Sequence, residues 1–197
     1  DHFNTGILEE VKFKEDKIEL EELHRFPSEP VTVHGTIYWD VLRLFREVKE
    51  ALRKYANKYD NNPASIGIDS WGVDFGLFDS NGSLLGNPVH YRDRRTEGMM
   101  EEAFKEIPKS KIFDETGIQF MELNTLYQLL AVQRNQGSIL ECSENLLLMA
   151  NLFNYFLTGE MASEFTLATT SQLYDPVNEE WAEELFKGFD LPLDIMP

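Results

Sequence analysis

A change of hydrophobic periodicity within the first 70 residues decides the fold class. Residues 7–14 and 17–25 alternate across a short charged turn, which predicts a β-hairpin. Apolar residues at three- and four-residue spacing then predict an amphipathic helix over residues 38–59, with Asp40 near its start as a cap. The short apolar run 65–69 is typical of a buried parallel strand. This order of elements indicates an α/β domain rather than a helical bundle.

The rest of the chain is predicted to be largely helical. Residues 73–78 form a further strand closed by a turn, and helices are predicted over residues 97–107, 125–133, 139–157 and 181–186. Asn124 is a natural cap for the second of these helices, and Gly159 and Gly188 supply left-handed residues after the last two. No repeat or linker interrupts the pattern, so residues 1–197 are expected to form one domain.

Composition excludes several classes of partner. The chain has 18 Lys and Arg against 35 Asp and Glu, a formal charge of −17, which repels nucleic acid. The longest apolar run, 146–156, is far shorter than the roughly 20 residues that span a bilayer. Cys142 is the single cysteine, and no Cys/His cluster has metal-ligand spacing. We therefore expect a cytoplasmic protein that binds neither nucleic acid nor membrane and holds no metal of its own.

The stretch 67–76 has the highest density of residues suited to ligand binding. Asp69 ends the predicted strand, and Trp71, Gly72 and Asp74 follow it, where open parallel sheets bind their ligands. Gly72 would let a ligand approach the backbone. The structural alternative is that the two aspartates cap turns and that Trp71 belongs to the core.

The stretch 90–96 is the second candidate and the only basic cluster in an acidic chain. Tyr91 beside Asp93 and Arg95 suits polyol recognition, because an aromatic ring stacks on a sugar while the charged pair holds hydroxyls. Equally, the pair could pin a loop to the next helix. Three amides could also reach hydroxyls, although amides near a helix start are more often caps; they are Gln119, Asn124 and Gln128.

Three motifs in order closely resemble the FGGY family of carbohydrate kinases, and within it the members that act on L-rhamnulose. They are SIGIDSWGVDF at 65–75, PVHYRDRRT at 88–96, and TGIQF at 116–120 followed by NTLYQL at 124–129. The resemblance covers essentially the whole chain. It implies an actin/ribonuclease-H-like ATPase fold with a mixed sheet flanked by helices. The chain corresponds to most of the N-terminal, sugar-binding domain, without the C-terminal domain.

The activity implied by the resemblance is phosphorylation of the 1-hydroxyl of L-rhamnulose by ATP and Mg²⁺, in rhamnose catabolism. The transfer is in line: a carboxylate takes the hydroxyl proton while Mg²⁺ and loop amides neutralise the γ-phosphate. The family's general base is an aspartate in a His-Asp-Thr motif beyond the end of this chain. Residues 1–197 alone are therefore expected to be inactive and to hold no tightly bound cofactor.

The resemblance also implies site residues. Gly72 matches the glycine that contacts the sugar, Trp71 lies beside it, Tyr91 matches an aromatic placed against the substrate, and Asp93 and Arg95 flank that tyrosine. The family's phosphate loop is not matched: residues 1–6 are one residue short, and Ile7 stands where an arginine is usual.

Two other functions are compatible with these residues. The chain could be a sugar-binding or structural remnant of a kinase without catalysis. It could also be a ribonuclease-H-like nuclease that uses Asp69 and Asp74 for metal, although the negative charge and the absence of a basic tract disfavour this.

Overall fold

The structure, a computed structural model, describes residues 5–60 and 62–197. Most of the candidate phosphate loop, residues 1–4, lies outside this description. The chain divides into two compact units, one within residues 1–31 and 39–67 and the other within residues 32–38 and 68–197. The α/β class predicted from the sequence is confirmed.

The first unit is a hairpin with a helix packed on it. Strands β1 (Thr5–Lys14) and β2 (Lys17–Pro27) pair antiparallel as predicted, and helix α1 (Val41–Lys58) follows. The Asp40 side chain accepts a hydrogen bond from the Arg43 backbone N–H at 3.1 Å and so caps the helix. Tyr59, just after the helix, donates to Glu21 on β2 at 2.7 Å.

The hairpin face that packs on the helix is not its apolar face. Apolar side chains on the opposite face of β1 and β2 are exposed, among them Val11, Phe13 and Leu20. Gly6, at the start of β1, lies under the ring of Phe26, where a Cβ would overlap the ring atoms. Close packing under Phe26 therefore gives a structural reason for a glycine at position 6, which the sequence analysis considered as part of a phosphate loop.

The second unit is built around the antiparallel pair β5 (Phe75–Phe78) and β6 (Asn145–Leu148). Phe75 and Leu77 join a large core with helix α4 (Thr125–Glu141). Alternate residues of β5 meet helix α5 (Met149–Thr158), since the Phe78 ring lies 5.2 Å from that of Tyr155. The strand pair is thus buried between helices on both faces.

Shorter elements complete the second unit. Its remaining elements, besides two 3₁₀ turns at Arg94–Thr96 and Leu193–Ile195, are β3 (Val31–Val33), β4 (Thr36–Tyr38), α2 (Met99–Glu106), α3 (Lys109–Thr116), α6 (Phe165–Thr170), β7 (Tyr174–Asp175), β8 (Glu180–Trp181) and α7 (Glu183–Gly188). β3 pairs with β4, and β7 pairs antiparallel with β8. Val31 itself falls within the first unit.

Three sequence predictions about elements are wrong. Residues 65–69 are not a strand and are largely exposed, because no strand among the described residues pairs with them. Residues 139–157 are not one helix. Strand β6 interrupts the segment, because its residues pair with the distant β5. Gly188 is the last residue of α7 without a left-handed backbone, and a Cβ there would lie 2.6 Å from the Ile107 side chain. Gly159 does adopt the predicted left-handed conformation, with φ of 79°.

Candidate sugar-binding site

Two of the five predicted site residues, Trp71 and Tyr91, donate hydrogen bonds to the carboxylate of Asp74, which is fully buried just before β5. One carboxylate oxygen accepts hydrogen bonds from the Trp71 indole at 3.0 Å and from the Tyr91 backbone N–H at 3.2 Å. The other accepts from the Gln128 side-chain amide at 2.9 Å. A single side chain therefore connects the two sequence motifs with the first turn of α4.

Asp93 fixes the loop that carries Tyr91 and Arg95. Its carboxylate caps the 3₁₀ turn by accepting from the Arg95 backbone N–H at 2.9 Å, and it accepts from the Ile37 backbone N–H at the same distance. His90 N–H donates in turn to the Ile37 carbonyl at 2.8 Å. The role of Asp93 in this structure is to hold the loop against β4.

Arg95 is a partly buried cation whose Nε is itself buried. One Nη donates to Gln128 Oε1 at 2.7 Å, whereas its Nε is buried without a hydrogen-bond partner within residues 5–60 and 62–197. Burial lowers the pKa of Arg95 to about 10, with the carboxylates of Asp74 and Asp93 opposing that shift. The guanidinium therefore stays charged at neutral pH.

Gly72 lies against helix α6 rather than in open space. A Cβ at this position would lie 2.8 Å from Thr170 Oγ1, closer than side chains tolerate. The missing side chain therefore has a packing reason here, in addition to the ligand approach that the sequence predicts.

A cavity of about 230 Å³ borders Arg95 in the second unit. Its walls come from β5, the segment before His90 and the face of α4, and include Phe75, Pro88, Val89 and Gln136. Arg95 alone of the five predicted residues lines this cavity. The partly exposed Trp71, Gly72 and Tyr91 and the buried Asp93 do not line it.

His90 is buried and neutral. Burial, helped by the nearby Arg92 charge, lowers the pKa of His90 to about 4, and Asp93 opposes this only weakly. Its Nδ1 accepts a hydrogen bond from the Arg92 backbone N–H at 3.0 Å, which requires an unprotonated nitrogen. His90 thus supports the loop beneath Tyr91.

Asp69 and Asp74 do not form the metal pair that a nuclease needs. Asp69 is exposed, and both oxygens of Asp74 already accept hydrogen bonds. No group of three or more His, Cys, Asp or Glu side chains in the described part of the chain is arranged to hold a metal ion. Neither Mg²⁺ nor its chemistry can therefore be placed on these residues.

Two of the three candidate amides, Asn124 and Gln128, have structural partners. The Asn124 side chain does not cap α4; it donates to Gln119 O at 2.9 Å and to Gln172 Oε1 at 3.0 Å. Gln119 itself is exposed. Sequence reasoning missed the bridging role of Gln128 between Asp74 and Arg95, and the spacing of Thr125 and Gln128, which places both on one face of α4, was the available signal.

Comparison with known proteins identifies the class. Residues 15–197 match the model of the FGGY family of carbohydrate kinases, N-terminal domain, and the chain belongs to this family. It is 41% identical over 179 residues to the rhamnulokinase of Bacteroides thetaiotaomicron, a match that covers 91% of this chain and 37% of that protein. It is 39% identical to the rhamnulokinase of Oceanobacillus iheyensis, covering 92% and 39%. The chain thus spans less than two fifths of the length of these relatives.

Solved structures confirm the fold. The xylulose kinase of Rhodospirillum rubrum superposes with a TM-score of 0.86 at 17% identity, covering 99% of this chain and 41% of that one. The gluconate kinase of Lactobacillus acidophilus superposes with a TM-score of 0.82 at 18% identity, covering 92% and 37%. The actin/ribonuclease-H-like fold expected from the sequence is therefore confirmed. None of the described helices is long and apolar enough to cross a membrane.

Proposed function

We propose that this protein phosphorylates L-rhamnulose on its 1-hydroxyl with ATP, a step of rhamnose catabolism in the cytoplasm. The observation that carries the proposal is the 41% identity to a rhamnulokinase over 91% of this chain. A ketose is the small-molecule partner, and neither nucleic acid nor a membrane is a partner. We take residues 1–197 to act as one N-terminal, sugar-binding domain.

Within this proposal the Asp74 network forms one wall of the ketose site. Trp71 and Tyr91 present partly exposed rings for the carbon face of the sugar, and Arg95, which lines the neighbouring cavity, brings a positive charge for a sugar oxygen. Gly72 is partly exposed beside Trp71, and its backbone is proposed to contact the substrate, while Asp93 holds the loop. These side chains bind and orient the sugar, which is a large part of catalysis in phosphoryl transfer.

ATP and Mg²⁺ are proposed as the cosubstrate and the metal of the protein, and residues 1–197 contribute no general base to the reaction. The described residues do not fit a metal ion, so no catalytic step is assigned to them through Mg²⁺. A protein limited to residues 1–197 is accordingly proposed not to turn over ATP.

The test is a coupled assay of ADP release by the full-length product of the gene. L-rhamnulose is compared with D-xylulose, gluconate and glycerol, and we expect L-rhamnulose to give the highest kcat/KM. A higher kcat/KM with another of these substrates than with L-rhamnulose would overturn the sugar assignment. Binding of L-rhamnulose without ADP release would favour a sugar-binding protein without kinase activity.

A further inference from the structure

We infer that Asp74 and Gln128 are positioning residues of the ketose site, which hold Trp71, Tyr91 and Arg95 in place through a strained turn at Val73. This inference rests on the proposed function. Asp74 and Gln128 do not touch the sugar; they make hydrogen bonds to the residues that form the wall.

The turn at Val73 is unusual for its residue type. Val73 has φ of 70°, in the left-handed region that β-branched residues avoid. The Asp74 N–H donates to the Gly72 carbonyl at 2.9 Å, which closes a three-residue γ-turn with Val73 at its centre. Such strained turns persist only where surrounding contacts impose them. The turn reverses the chain so that Trp71 and Asp74 lie side by side.

The first turn of α4 provides those contacts. The Val73 carbonyl accepts hydrogen bonds from Thr125 Oγ1 at 2.8 Å and from Gln128 Nε2 at 3.3 Å. The same amide nitrogen donates to Asp74, and both Thr125 and Gln128 are fully buried. Helix α4 therefore anchors the turn and its carboxylate together.

Asp74 then transmits this position to the wall. Its oxygens accept hydrogen bonds from the Trp71 indole, the Tyr91 backbone N–H and the Gln128 side-chain amide. Gln128 completes the connection because its Oε1 accepts from Arg95. The wall residues come from separate segments, and these hydrogen bonds fix their spacing.

A carboxylate suits this position better than an amide does. Asp74→Asn keeps one acceptor oxygen but points an NH₂ group at one of the donors, so either Trp71 and Tyr91 or Gln128 must move away. A buried donor that loses its acceptor destabilises the arrangement. Gln128→Glu is the complementary change: it keeps a partner for Arg95 but replaces the donor to Asp74 with a second carboxylate.

The experiment compares the full-length wild type with Asp74→Asn, using Asp79→Asn as the matched control. Asp79 lies at the other end of β5 and accepts backbone N–H groups of Asn81 and Ser83 at 2.9 and 2.8 Å. We expect Asp74→Asn to raise the KM for L-rhamnulose about tenfold while the KM for ATP changes less than about twofold. Asp79→Asn should leave both constants within about twofold.

A second readout reports the position of the indole directly. With every tryptophan of the full-length protein other than Trp71 replaced by Phe, Trp39 and Trp181 of the present sequence among them, the fluorescence of Trp71 alone is quenched with acrylamide. Asp74→Asn should increase the quenching of Trp71, whereas Asp79→Asn should not. Gln128→Glu, tested in the same way, provides a second perturbation of the network if Asp74→Asn does not fold.

The outcomes separate this inference from the proposed function. A folded Asp74→Asn protein with unchanged sugar KM and unchanged Trp71 quenching would overturn the positioning role, although the wild type is a kinase. Absence of L-rhamnulose phosphorylation by the wild type would overturn the proposed function. The quenching measurement would still decide whether Asp74 holds the indole.

Discussion

The side chains of this site fall into two groups: buried carboxylates that hold the loops in place, and rings that remain partly exposed. Asp74 and Asp93 are buried and accept hydrogen bonds from several chain segments, whereas Trp71 and Tyr91 keep part of their rings exposed. Arg95 shares features of both groups, since it donates a hydrogen bond to Gln128 and also lines the cavity. We therefore expect substitutions of the partly exposed residues to change sugar binding, and substitutions of the buried residues to change the position of the loops and the stability.

Gly72 allows its two roles to be separated by a double variant. Gly72→Ala should raise the KM for L-rhamnulose about fivefold or more in the full-length enzyme, leaving the KM for ATP unchanged, because the methyl group occupies sugar space. Thr170→Ala removes the hydroxyl that a Cβ at position 72 would contact at 2.8 Å. If the glycine serves the sugar, the double variant retains the high KM. Recovery of the wild-type KM in the double variant would show that packing alone requires Gly72.

His90 should make folding sensitive to mild acid. Its pKa is lowered to about 4 in the folded protein, by burial first and by Arg92 second, against about 6.5 in the unfolded chain. The unfolded state therefore binds more protons between these values, so this contribution to stability is complete above pH 6.5 and is lost as the pH falls toward 4. Urea unfolding across this range should give a shallower pH dependence for His90→Gln than for the wild type. Identical pH dependences would exclude this contribution.

At the scale of elements, the sequence predicted those that depend on local patterns. It did not predict those that depend on pairing with a distant strand. The hairpin and α1 follow from alternation, helical spacing and the Asp40 cap, all of which are short-range. The apolar run that forms β6 fits a buried strand as well as a helix, and only its pairing with β5 decides between them. The strand predicted at 65–69 fails for the converse reason, since no described strand pairs with it.

The same distinction applies to the site. The motifs marked Trp71, Asp74, Tyr91 and Arg95, but the sequence did not show that Asp74 accepts hydrogen bonds from both Trp71 and Tyr91. Its hydrogen bond to Gln128 joins residues 54 positions apart. The spacing of Thr125 and Gln128 on one face of α4 was the only local signal for that contact, and the left-handed backbone of Val73 has none.

The Asp40 cap offers a test of the first unit. Asp40→Ala removes the acceptor of the Arg43 N–H and should lower the free energy of unfolding by about 1 kcal/mol. Asp60→Ala, which removes an exposed acid just beyond the other end of α1, should change it by less than about 0.5 kcal/mol. Urea denaturation of both variants measures the difference. Equal effects of the two substitutions would show that charge rather than capping is responsible.

At the scale of the whole molecule, the chain is an FGGY N-terminal domain that spans about 37% of the rhamnulokinase of Bacteroides thetaiotaomicron. No group of three or more His, Cys, Asp or Glu side chains among the described residues is arranged to hold a metal ion, and the Asp74 network is the wall that we propose for the sugar. We propose that Trp71, Tyr91 and Arg95 bind the ketose.

Calorimetric titration of the full-length protein with L-rhamnulose tests this claim most directly. The wild type should bind the sugar, and Tyr91→Ala should bind it about fivefold more weakly, a loss of about 1 kcal/mol for one aromatic contact. Phe113→Ala, which removes a half-exposed ring from α3, should bind like the wild type. Absence of binding by the folded wild type, or equal affinity of Tyr91→Ala and the wild type, would contradict the assignment of this wall to the ketose.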